Sequence, residues 1–154
     1  MGEVEKRLES MGITLPARDR KGKGLIPVQR DGNYLFLSGH HCKKDGKLIR
    51  DGKLGAEVSL EEGYEAARQV GINMLGTLKD YLGNLDRVER IIKVLGFVAS
   101  KPDFFDQPKV MHGFSDLMTE VFGERGLHAR SAIGVAVLPG NIPVEVEMMV
   151  KIKD

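Results

Sequence analysis

The chain has 154 residues, of which 42% are hydrophobic and 29% charged, the balance of one folded domain with one core rather than of a disordered segment. Its 23 basic and 22 acidic residues leave a formal charge of +1, which removes any whole-surface pull toward nucleic acid or membrane and leaves only a local basic patch open. One cysteine, Cys42, excludes an internal disulfide framework; no apolar run nears the ~20 residues of a membrane span; "MGEVEKRLESMGITLP" lacks the form of a signal peptide, so a soluble cytoplasmic protein is expected.

In chain order, 3–11 predict a short amphipathic helix and 12–24 a polar connection. "LIPVQRDGNYLFLSG" predicts a hairpin turning at Asp31-Gly32-Asn33, where glycine and asparagine tolerate positive φ. A glycine-rich excursion, 42–58, follows as a small surface ribbon. Ser59 and Glu62 form a capping box, and Leu60, Ala67, Met74, Leu75, Leu78 and Leu82 recur on one helical stripe that Gly83-Asn84 ends. The branched run 87–100 predicts a buried central strand, with Ile91, Leu95 and Phe97 opposite Ile92, Val94 and Val98. "KPDFFDQPKV" predicts a proline-held loop, 109–122 a second helix, and 130–138 and 144–152 two strands joined by "PGNIP".

The order β-β-α-β-α-β-β predicts an α+β domain with two helices packed on one face of a mixed sheet. The other face keeps apolar content, which on a soluble protein marks an interface, and self-association is the economical reading.

Arg130 stands at the mouth of its strand on a face shared with Ala132, Gly134 and Ala136. Small neighbours leave room for a carboxylate in the planar fork of the guanidinium, while a structural Arg–Glu pair at a sheet edge, the commoner arrangement, stays open. Glu145 and Glu147 lie together on the returning strand, either as acid–base groups with raised pKa or as a solvated face. His128, two residues before Arg130, lines the same opening or sits on the surface. His40-His41-Cys42 has no second cluster at metal-ligand spacing, and no metal is expected. "KGKG" at 21–24 lacks the phosphate-loop pattern and reads as a basic turn. With no tryptophan and near-neutral charge, nucleic-acid binding is not expected.

"NYLFLSGHH", "VLGFVAS-PDF-DQPKV", "FGERGLHARSAIGV" and "LP-N-PVEVE" resemble the reactive intermediate deaminase superfamily, also called YjgF/YER057c/UK114. Some of its members carry the names endoribonuclease L-PSP or translation inhibitor. The likeness runs from Leu25 to Lys153 and leaves 1–20 as an N-terminal helical extension of a single domain, a branch distinct from the best-known deaminases. It implies a chorismate-mutase-like fold, a homotrimer with clefts between subunits, and hydrolysis of enamine/imines such as 2-aminoacrylate to a 2-keto acid and ammonia. Tautomerisation supplies the electrophile, so no cofactor is implied. By resemblance, Arg130 clamps the substrate carboxylate, Glu145 handles the attacking water, and Ser38, Gly39 and the backbone N–H near Ala132 lie by the ligand, His40 following them. Three positions depart from the pattern: Leu25 replaces a tyrosine, the asparagine of the second helix is replaced around Gly113, and His40 replaces a glutamine or other polar residue.

Overall fold

The computed structural model describes residues 1–17 and 24–153. Most of the predicted "KGKG" turn, and part of the connection before it, lie outside the described residues. Helix α1 (Glu3–Ser10) precedes the hairpin β1 (Val28–Asp31) and β2 (Tyr34–His40), and a two-strand ribbon, β3 (Lys43–Lys44) and β4 (Lys47–Leu48), follows. Then come α2 (Leu60–Leu82), β5 (Val88–Ala99), α3 (Gln107–Phe122), β6 (Ala129–Val135) and β7 (Val144–Ile152). The five long strands form one mixed sheet in the order β1-β2-β7-β5-β6, with only β5 and β6 parallel. No described helix is long and apolar enough to cross a membrane.

Local chemistry accounts for these boundaries. The Ser59 hydroxyl accepts from the Glu62 N–H at 3.2 Å while the Glu62 carboxylate accepts from the Ser59 N–H at 2.9 Å, the predicted capping box closed both ways. Gly83, at φ 75°, ends the helix in the left-handed conformation that glycine adopts without strain. Helix α3 starts earlier than predicted because Pro108 falls in its first turn, where the missing N–H costs nothing. Helix α1 has no side-chain cap of its own, and Asp86 supplies one from across the chain: its carboxylate accepts from the N–H groups of Glu3 at 2.6 Å and Val4 at 2.9 Å.

Helices α2 and α3 cover one sheet face. Val144, Val146, Met148, Val150 and Ile152 of β7 turn toward them and are buried. The helices cross closely at Gly113, where a β-carbon would collide with the Tyr64 carbonyl oxygen. Phe114, beside it, is fully buried, a contribution of about 1.5–3 kcal/mol. One expected facing is corrected here. The register of β5 against β7 slips between Ile91 and Lys93, and this bulge carries Ile91 onto the covered face with Val94 and Val98, opposite Leu95 and Phe97.

The opposite face is open. Paired across β5, β6 and β7 it presents Leu95, Phe97, Ile133, Met149, Glu145 and Glu147, and β2 adds Tyr34 and Phe36, 42% and 40% exposed. The last two strands are not neighbours, because β5 lies between them. The acids of β7 therefore do not face Arg130 across a hairpin.

Candidate functional site

The registers decide what the sheet brings together. Val94 pairs with Arg130, Gly96 with Ala132 and Val98 with Gly134, so Arg130, Ala132 and Gly134 point to the covered side of edge strand β6. Phe97 pairs with Glu145 and Leu95 with Glu147, which places both acids on the open side. Arg130 and Glu145 thus lie on opposite faces, two strand spacings (about 10 Å) apart across the sheet and, by their partners Val94 and Phe97, three residues apart along β5. A single subunit does not join them.

Arg130 is half-buried and seated on α3 by residues that the sequence reading did not single out. Its Nη1 lies 3.1 Å from Ser115 Oγ and 3.2 Å from His112 Nδ1, and its Nη2 donates to the Pro108 carbonyl at 3.3 Å. Pro108, His112 and Ser115 follow at i, i+4 and i+7, one stripe of the helix. That spacing was readable; which stripe would cover β6 was not. Among the described residues no carboxylate pairs with the guanidinium, so the structural Arg–Glu pair is not formed within the chain. Three of its five N–H donors are engaged on α3, and the Nε side is not among them.

His128 stands behind this seat. Its Nδ1 is 2.6 Å from the Gly126 carbonyl and its Nε2 2.9 Å from Ser115 Oγ, with the ring edge-on to Phe114. Burial lowers its pKa most, Arg130 adds to that, and the Gly126 carbonyl works the other way; the net shift is downward. The position expected at Gly113 is also refined. Gly113 is spent on the helix crossing, and the neighbouring His112 reaches the guanidinium.

Glu145 shares the open side with the bulge of β2. The register of β2 on β7 slips between Leu37 and His40, lifting Ser38 and Gly39 outward and returning His40 to the core. A β-carbon on Gly39 would stand 3.0 Å from Glu145 Cδ, so the glycine makes room for that carboxylate. Burial first, and the Glu147 charge second, raise the Glu145 pKa, moving it toward the range where a carboxyl group trades protons near neutrality. Ser38 is half-buried and its hydroxyl donates to the Ile26 carbonyl at 2.8 Å. His40 is fully buried, with Nδ1 2.6 Å from the Ser38 carbonyl and Nε2 2.8 Å from Thr77 Oγ1, and so lines no opening in the subunit. Leu25, standing for the family's tyrosine, is 67% exposed. Among the described residues no cluster of His, Cys, Asp or Glu could hold a metal ion.

Where the parallel strands β5 and β6 end, a cavity of 390 Å³ opens between Ser100, Pro102, Phe105, Gln107 and Gly134. Ligands favour the carboxyl ends of parallel strands, and Gln107 adjoins the residue whose carbonyl holds Arg130.

Residues 5–152 match the family model described as "YjgF/chorismate_mutase-like, putative endoribonuclease". The chain belongs to this YjgF/chorismate-mutase-like family. It is 39% identical to Protein TCP17 of Trypanosoma cruzi over 99% of this chain and 96% of that protein. A crystal structure of a protein of unknown function from Agrobacterium tumefaciens is 39% identical over 97% of this chain and 91% of that one, with a TM-score of 0.89. One from Shewanella oneidensis MR-1, described as "a putative endoribonuclease", is 32% identical over 98% of this chain and 100% of that one, with a TM-score of 0.93. The mixed sheet under two long helices is the fold of the YjgF family, as the sequence reading expected.

Proposed function

We propose that the protein hydrolyses small 2-imino acids, formed from enamines such as 2-aminoacrylate, to 2-keto acids and ammonia, in clefts between the subunits of a homotrimer. The observation that carries this reading is Arg130: a cation held in place by α3, without a carboxylate partner among the described residues, at an edge strand. A guanidinium so held suits a small carboxylate in a two-bond clamp. Because Glu145 lies on the other face, the acid that meets it in this reading comes from a second subunit, across the open face and the free edge of β6. Glu145 takes a proton from the water that adds to the imine carbon; the resulting carbinolamine loses ammonia as its nitrogen is protonated, leaving the keto acid. Ser38, Gly39 and the backbone by Ala132 complete the cleft, and no cofactor enters the reaction. Proton transfer and positioning of about 10² or more each suffice for a hydrolysis that already runs in water.

The test is to generate 2-aminoacrylate with a dehydratase and follow pyruvate release. Arg130→Ala is expected to lose at least tenfold in kcat/KM; equal rates for variant and wild type would refute the reading for this substrate. A second reading, carriage of a small carboxylate without turnover, is favoured by the departures at Leu25, His40 and the Gly113 region. It predicts that pyruvate raises the Tm while no imine is consumed. The ribonuclease named for relatives finds less support, since the net charge is only +1.

A further inference from the structure

Arg130, Ser115 and His128 form a chain of hydrogen bonds. The arginine can only donate, so Ser115 Oγ accepts from Nη1 at 3.1 Å. The Gly126 carbonyl can only accept, so His128 carries its proton on Nδ1, 2.6 Å away. In the neutral ring the lone pair of Nε2 then faces Ser115 Oγ at 2.9 Å, where the one hydroxyl proton of the serine belongs. Each group is used once, in the order guanidinium to hydroxyl to imidazole to backbone. The lowered pKa of His128 agrees with a ring kept neutral for this purpose. His112 and Pro108 hold the remaining contacts, and both belong to the same helix. The chain is local to α3, β6 and the connection between them and needs no second subunit.

We infer that Ser115 is a positioning residue: through its link to neutral His128 it holds Arg130 so that the Nε side of the guanidinium is presented to the ligand carboxylate. This rests on the carboxylate-binding reading of Arg130. An arginine side chain has many rotamers, and fixing it before the ligand arrives spares that ordering at binding. The loss of Ser115 should therefore weaken binding and leave the chemical step alone. That is a rise in KM with kcat preserved. Ser115 lies fifteen residues before Arg130, on another element, so no short motif announces the pairing.

The experiment compares wild type, Ser115→Ala, Ser115→Thr and Arg130→Ala. It measures pyruvate Kd by calorimetry, kcat and KM for 2-aminoacrylate, and the ¹⁵N shifts of His128. Ser115→Ala is expected to raise Kd and KM about tenfold with kcat within twofold. It should also move the Nε2 resonance toward its unbonded value with Nδ1 still protonated. Ser115→Thr should restore all three. If Ser115→Ala binds pyruvate as wild type does while Arg130→Ala loses binding, the positioning role is wrong and the carboxylate site stands. If Arg130→Ala binds as wild type does, the carboxylate site itself is wrong. An Nε2 resonance unchanged by Ser115→Ala, or a fall in kcat equal to the fall in kcat/KM, also overturns the inference. Should Ser115→Ala not fold, Ser115→Cys, a weaker donor, replaces it in the same comparison.

Discussion

The two faces of the sheet are built to different ends. Toward α2 and α3, β7 offers an unbroken series of buried Val, Met and Ile, closed by helices that touch at Gly113. On the far side, half-exposed aromatics stand among Glu145, Glu147 and Lys93, with a depression of 170 Å³ between Phe36, Leu95 and Met149. The covered face is satisfied within the chain. The open face keeps apolar area in water and two like charges on one strand, and neither is relieved by any described residue. The main packing and the acid pair have thus been assigned to different sides, with Arg130 at the rim of the covered one, and substitutions should separate them.

The largest effect belongs to the covered side. Gly113→Ala puts a methyl group onto the Tyr64 carbonyl, a backbone atom that moves only if the helices part. A loss of about 3 kcal/mol is expected, roughly 10 °C in thermal unfolding; a Tm within 2 °C of wild type would show that the crossing is slack. Next comes Phe36→Asp on the open side. It should weaken self-association by about a hundredfold, seen by analytical ultracentrifugation, with circular dichroism unchanged. Unaltered association would mean that this face is not the one covered in solution. The smallest change is Glu145→Gln. A carboxyl whose folded pKa is raised binds protons more readily folded than unfolded, so its ionisation costs stability as pH rises through that interval. The amide removes this cost, and a gain of ~0.5 kcal/mol, about 1 °C, is expected at pH 7 that disappears by pH 4. A gain of equal size at both pH values would point to packing instead.

Much of this division is legible in the sequence. The alternation of β7 announces its own two faces, and Ser59, Glu62 and Gly83 mark the ends of α2 because capping is local chemistry. What escapes is whatever depends on register or on partners distant in the chain. The bulge at Ile91–Lys93 turns a residue over without leaving a residue type that signals it. Arg130 and Glu145 look like companions because fifteen residues separate them, yet β5 comes between their strands, and their partners on it, Val94 and Phe97, face opposite sides. Ser115 and His112 were hidden for a different reason. They sit among ordinary helix positions, and only the packing of α3 over β6 gives them a task.

The slip in β2 between Leu37 and His40 has a further consequence. With strict alternation, any insertion or loss near this point would exchange inside for outside along the rest of the strand. The extra residue absorbs that phase, so His40 remains anchored beneath while Ser38 and Gly39 stand above. A change at Ser38 therefore alters the outer surface and leaves the His40–Thr77 anchor in place, whereas a side chain at Gly39 would have to displace the Glu145 carboxylate.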